Sequence, residues 1–167
     1  SIVWSPAPAQ AVVIGDSAFS TSDWSEDIIF NTMSGAANFA VAQQSSGGNS
    51  GSFRKTTHIY TGPGGMVLGH RMTSASYDPS TQGAIGTLDF GLDGLFISQA
   101  GGSVPSAVGL VSFVFQNNSW YSAGFNVIVP TAGVWTSFAS LGLVESDFAL
   151  RLGAGASGPD FSANGGV

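Results

Sequence analysis

Charged side chains are so rare in this chain that they can be taken one by one. Lys and Arg together number four, Asp and Glu ten, and His two. Two of the four cations and one of the two histidines fall in a single stretch, Gln43 to Tyr60, QQSSGGNSGSFRKTTHIY. Read as a strand, Arg54, Thr56, His58 and Tyr60 share one face, and Phe53, Lys55, Thr57 and Ile59 share the other. His70 and Arg71 follow on a nearby segment. A Ser-His-Asp relay can be drawn from such residues, but no Gly-x-Ser-x-Gly elbow is present to expose a nucleophile. The histidines show neither His-x-His nor His-Glu-x-x-His spacing, which disfavours a catalytic zinc. The plainer reading is an ion pair on a half-buried sheet face. Arg54 needs a carboxylate there, and Asp89 is the first candidate.

The carboxylates suggest two further chemistries. Asp89 and Asp93 lie four apart on one strand face, which puts their Cα atoms about 13 Å apart. That separation does not suit a retaining glycosidase pair and is long for an inverting one. Asp23, Glu26 and Asp27 cluster around Trp24, and Asp160 follows late in the chain. These four offer oxygen ligands for a structural calcium, without the spacing of an EF-hand. A solvated acidic loop is the simpler alternative. Among the aromatics, Trp24, Trp120 and Tyr121 are candidates for a flat platform on which a sugar ring stacks. Alternation turns one of Trp120 and Tyr121 inward, so at most one of that pair can serve. The ligand-binding candidates are therefore Arg54, His58, Asp89, Trp120 and Tyr121.

The elements that must position these residues are strands. The chain has 167 residues, of which 43% are hydrophobic and only 8% charged, with 24 glycines and 12 phenylalanines. An average soluble domain carries about 25% charged residues. A helical protein needs Lys, Glu and Arg on its exposed faces, whereas Ser, Thr, Asn and Gly suit short strands and turns. A net charge of −6 gives no footprint for nucleic acid or an anionic membrane surface. No apolar run approaches the ~20 residues of a membrane-spanning helix. Cysteine is absent, which excludes disulfides, thiolate metal sites and a cysteine nucleophile. The Ser/Thr/Gly-rich, Lys-poor composition points outside the cell. The start at Ser1 reads as a mature or trimmed product.

Taken in order, Ala11–Ile14 is a strand candidate, Ser20–Asp27 a polar loop, and Ile28–Phe30 a strand. Asn38–Ala42 and Phe53–Tyr60 flank a glycine turn at Ser45–Gly51. Met66 to Tyr77 alternates, with Val67, Gly69 and Arg71 against Leu68, His70 and Met72. Asp78-Pro79-Ser80 is a turn. Ala84–Ser98 is the most regular segment, with Leu88, Phe90 and Leu92 on one face. Val108–Gln116 and Ser119–Val129 flank Asn117-Asn118, a hairpin turn because Asn tolerates positive φ. Leu143–Leu150 contains the only plausible helical turn. Nine or ten strands at this spacing, without long helices, predict one all-β domain over residues 1–167: a single antiparallel β-sandwich, jelly-roll-like, with long Gly/Ser-rich loops. Leu88, Phe90, Leu92, Phe113 and Phe115 are its expected core.

Several pieces carry a family resemblance: Gly47-Gly48-Asn49-Ser50-Gly51-Ser52-Phe53-Arg54, Ile85-Gly86-Thr87-Leu88-Asp89-Phe90, Trp135-Thr136-Ser137-Phe138 with Asp147-Phe148, and Gly158-Pro159-Asp160-Phe161-Ser162. In order and spacing the chain resembles bacterial exported β-sandwich proteins related to laminin-B-like and galactose-binding-like jelly rolls. The resemblance implies an extracellular or cell-surface module and brings no catalytic residues. In the sequences it resembles, the last motif leads into a further strand, whereas here the chain stops at Val167. The expectation is a domain lacking a C-terminal strand, completed by more chain, by its own N-terminal segment Ile2-Val3-Trp4, or by a neighbouring subunit. Functionally, the leading expectation is a non-enzymatic extracellular binding module that recognises a glycan. The rival is a structural subunit of a filament or surface layer, a homo-oligomer or polymer assembling by strand exchange. A polysaccharide hydrolase is the third and weakest. No cofactor is expected beyond structural calcium.

Overall fold

The alternating segments fold as strands, and the strands pair in small antiparallel sheets. The computed structural model describes residues 11–97, 108–128 and 133–165. Among these are nine strands: β1 (Trp24–Asn31), β2 (Ala37–Gly48), β3 (Gly51–Tyr60), β4 (Met66–Met72), β5 (Leu88–Leu95), β6 (Val108–Gln116), β7 (Ser119–Ile128), β8 (Trp135–Leu143) and β9 (Ala149–Leu152). They form the two-stranded sheets β1–β4, β2–β3 and β5–β8 and the three-stranded sheet β6–β7–β9. Every pairing is antiparallel. Among the described residues helix is confined to 3-10 turns at Thr21–Asp23 and Glu145–Asp147 and to the single turn α1 (Pro79–Gln82). Asp78 caps α1 by accepting from the Ser80 N–H at 2.9 Å, and Pro79 sits where a missing N–H costs nothing.

Two tight turns fix the hairpin registers. Asn117 and Asn118 take φ of 50° and 58°, and Gln116 pairs with Ser119 across them. Two successive left-handed residues match the twist of the flanking strands, as the Asn-Asn pair predicted. In β2–β3 the expected glycine loop over Ser45–Gly51 is shorter than composition suggests. The ladder closes at Gly48 opposite Gly51, and Gly51 supplies the left-handed φ of 89°.

The sheet β6–β7–β9 is covered on both faces. On one, Tyr121, Ala123, Phe148 and Phe161 form the buried core, with Leu88, Phe90 and Leu143 packed around them. Each such aromatic contributes roughly 1.5–3 kcal/mol by leaving water. On the other face, Phe113 and Phe115 meet Trp120 edge to face, at centroid distances of 5.6 and 5.2 Å. Trp120 then lies against β1–β4, where its Nε1 donates to Asp27 Oδ2 at 3.0 Å. Gly69 makes room for it. A Cβ at Gly69 would meet Ile29 Cδ1 at 2.9 Å and Trp120 Cη2 at 3.0 Å.

Several expectations change. Residues 11–14 are not a strand, and Val12, Val13 and Ile14 are exposed without a partner strand. The polar loop expected at Ser20–Asp27 is a 3-10 turn followed directly by β1. Its alternation was masked because both faces of β1 carry polar residues. Leu92 is 47% exposed and so outside the core; Leu88 and Phe90 are partly buried against it. The segment at residues 2–4, the break at 101–105 and the chain end at 166–167 lie outside the described residues, as does most of the turn at 130–133.

Candidate functional site: a polar seam between β1–β4 and β3

The charged residues meet where the β2–β3 hairpin faces the β1–β4 sheet. Register places Trp24 opposite Met72, Glu26 opposite His70 and Ile28 opposite Leu68, so these six share one face. Arg54 and Thr56 reach that face from β3. The Arg54 Nη2 pairs with Glu26 Oε1, and its guanidinium carbon lies 5.3 Å from the centre of the Trp24 ring. His70 Nδ1 stands 3.8 Å from the same Glu26 oxygen. On its other side His70 Nε2 lies 3.4 Å from Thr56 Oγ1. The side chains of Arg54, Glu26 and His70 are 7%, 18% and 27% exposed. The predicted carboxylate partner for Arg54 is thus present but is Glu26, not Asp89. Asp89 instead accepts from the Gly142 N–H at 2.6 Å, tying β5 to β8.

Trp24 extends the seam outward. Its Nε1 donates to Asp16 Oδ2 at 2.7 Å, and Phe19 stacks on its ring. Asp16 also accepts from the N–H groups of Ala18 and Phe19, at 2.8 and 2.9 Å. Burial pushes the Asp16 carboxyl up, but these hydrogen bonds and the charge of Arg54 outweigh it and hold the group below the usual carboxylate range. Asp16 was not singled out by sequence. An Asp two and three residues before N–H groups signals an Asx turn, but the Trp24 contact has no local signature.

Burial, then the positive charges of Arg54 and His58, push His70 down to about 4. It is therefore a neutral imidazole near pH 7. Burial likewise lowers Arg54, partly offset by Asp16. Among the described residues, Arg54 Nε and Nη1 meet no hydrogen-bond acceptor. Thr56, His70 and Glu26 follow one another in the order of a nucleophile–base–acid relay. Their spacings of 3.4 and 3.8 Å exceed the hydrogen-bond reach of about 2.6–3.2 Å such a relay needs. Arg54 claims the carboxylate, and a base that titrates near 4 is weak at neutral pH. The arrangement is suited to joining two sheets.

The other predicted residues are scattered. His58 lies further along β3 and is exposed. Trp120 and Tyr121 are each 3% exposed, on opposite faces of β7. Neither offers a free ring face, which corrects the expectation of a sugar platform there: both faces of this sheet are covered, so alternation buries both rings. Glu26 and Asp27 point to opposite sides of β1, towards Arg54 and Trp120 respectively. Asp23 accepts from Ser22 Oγ at 3.3 Å within its 3-10 turn. Asp160 accepts from the Ser162 N–H at 2.8 Å, in the loop after β9. The four calcium candidates thus do not converge. Among the described residues, no group of three or more His, Asp or Glu side chains is placed to hold a metal ion. Asp93 accepts from Ser137 Oγ at 2.5 Å and Asn49 Nδ2 at 2.7 Å; those two bonds hold its carboxyl below the usual range and link β5 to β8 and to the β2–β3 turn.

No family model, curated protein or solved structure matches this chain, so the resemblance to jelly-roll modules rests on the sequence pieces alone.

Proposed function

We propose that this chain is a non-enzymatic extracellular module of the jelly-roll-like β-sandwich type that works by assembly, as a structural subunit joining copies of itself through strand edges. One observation carries the reading. β2 runs for 12 residues, Ala37–Gly48, without a charge or a proline, and among the described strands it pairs only with β3. β8 is also free of charge and proline, and pairs only with β5. Edges of this kind present unpaired N–H and C=O groups, and proteins that must stay apart guard them with Lys, Pro or bulges. Here neither strand carries a Lys or a Pro, and the ladder irregularities, between Gln44 and Gly48 in β2 and between Ser140 and Leu143 in β8, are confined to one end of each strand. Exposed Ile59, Leu141 and Val134 add apolar surface beside the strands. The glycan reading loses its lead because Trp120 and Tyr121 are core.

The test is the assembly state of the purified chain by analytical ultracentrifugation and electron microscopy. The expected result is concentration-dependent oligomers or filaments. Ala40→Lys, on the exposed side of β2, is expected to dissociate them while leaving the far-UV circular dichroism unchanged. A wild-type chain that stays monomeric at high concentration overturns the reading.

A further inference from the structure

A second feature of the molecule has chemistry of its own. Where β1 comes alongside β7 and β9, a cavity of about 380 Å³ opens, at the small end of the range for small-molecule sites. Its walls are apolar: Ile29 and Phe30 from β1, Phe113 from β6 and Leu150 from β9. Phe30 is 52% exposed, a large cost for a ring beside an apolar wall unless something covers it. One cation stands at this apolar cavity. Arg151 lines it, and its Nε donates to Ser122 Oγ at 2.6 Å. Ser122 is 4% exposed, so the arginine, itself exposed, is anchored to a rigid, buried point. Among the described residues, no carboxylate lies within salt-bridge reach of Arg151, although the chain carries ten acidic residues and only four cations. The hydrogen bond to Ser122 uses Nε and leaves the two Nη groups, a planar fork that matches a carboxylate.

We propose that this groove is a binding site for a small amphiphile with a carboxylate head, its apolar tail lying against Phe30, Ile29 and Phe113 and its carboxylate on the Nη groups of Arg151. Charge complementarity selects this occupant. A neutral apolar molecule would gain nothing from the anchored guanidinium, and a cation would be repelled by it. The volume suits an aliphatic acid of roughly eight to ten carbons. This site is separate from the open strand edges of the assembly reading and stands or falls without it.

The experiment titrates decanoate, and separately decanol, into the full chain, followed by isothermal calorimetry and by amide shifts of the β1, β7 and β9 strands. Decanoate is expected to bind saturably. Arg151→Gln is expected to weaken decanoate roughly tenfold or more, while leaving the weaker decanol binding unchanged. Arg151→Lys keeps the charge and is expected to fall between. Val111→Trp, which fills the cavity from β6, is expected to abolish both. Near-UV circular dichroism shows that each variant is folded, and Arg151→Lys serves as the reading if Arg151→Gln is not. The proposal is overturned by the absence of saturable decanoate binding, or by binding indifferent to Arg151→Gln and to Val111→Trp. It is overturned as well if the groove is covered by a second copy, so that decanoate fails to bind and Val111→Trp dissociates a dimer.

Discussion

Two regions join sheets in this molecule, and they are built from opposite materials. Around Tyr121, Ala123, Phe148 and Phe161, the β6–β7–β9 sheet meets β5–β8 and the C-terminal loop through aromatic and aliphatic packing. Around Glu26, Arg54 and His70, the β2–β3 hairpin meets β1–β4 through an ion pair and a neutral imidazole. The first gains free energy in proportion to the area it removes from water. The second must desolvate two charges before their attraction returns anything, and such pairs contribute little net stability. The difference implies that the aromatic side is the stable body. The β2–β3 hairpin, which carries the long uncharged edge, is held by the weaker and more condition-dependent join.

The sharpest way to break this comparison is to empty the aromatic side. Phe148 is 4% exposed and touches Phe90 and Phe161, with centroid distances of 6.4 and 5.6 Å. Phe148→Ala is expected to cost about 3–5 kcal/mol in urea unfolding. A loss below about 1 kcal/mol would mean that this cluster is not the body of the fold.

The seam predicts a different pattern. Arg54→Ala leaves the largely buried Glu26 carboxylate with only the neutral His70 beside it, at an expected cost of about 3 kcal/mol. Arg54→Met with Glu26→Leu removes both charges and is expected to recover most of that loss. A double-mutant cycle on the two positions measures the coupling. Additive effects would show that the pair is not joining the sheets.

Acid separates the regions a third way. The folded-state pKa of His70 is about 4, below its ordinary value of 6.5. Between those values the unfolded chain binds more protons than the folded one, so stability falls as pH drops. The contribution is fully present above pH 6.5 and is lost on the way to pH 4. Its ceiling is about 3 kcal/mol, and partial exposure of His70 brings the expectation to about 2. His70→Gln should reduce the slope over this window, measured by unfolding at several pH values, leaving the part due to His58, which burial also lowers. Phe148→Ala should shift the whole profile without changing its slope. Equal slopes in wild type and His70→Gln would remove His70 as the cause.

These regions were not equally legible in the sequence. Strand alternation on β3, β4 and β5 is a local property, and Asn117-Asn118 announces its turn by residue type. The all-β class and antiparallel pairing follow from such signals. The counterion of Arg54 depends on which sheets face each other, and nothing local marks it. Glu26 lies 28 positions before Arg54 and stood among the calcium candidates. Trp120 and Tyr121 showed the same limit. Alternation predicts opposite faces, but not that both faces are covered. The second half of β1, Ile28–Phe30, was legible as a strand, but its first half stayed hidden because Ser25, Glu26 and Asp27 resemble a solvated loop until their partners on both sides are known.

The smallest expected effect tests what keeps the two regions apart. Trp120 and Tyr121 are neighbours in sequence, yet one packs towards β1–β4 and the other into the aromatic core. A one-residue slip of β7 against β6 would exchange them. The Asn117-Asn118 turn prevents it, since both residues sit in the left-handed region and pair Gln116 with Ser119. Asn118 has φ of 58°, which an alanine adopts only at a cost of about 1 kcal/mol. Asn118→Ala should therefore lower stability by about that amount. Asn118→Gly should stay within about 0.5 kcal/mol of wild type, because relief of the left-handed strain offsets the extra freedom of glycine when unfolded. Thermal unfolding of the two variants side by side measures the difference. If alanine is as stable as glycine at position 118, the turn does not set the register, and the packing of the two regions alone must hold β7 in place.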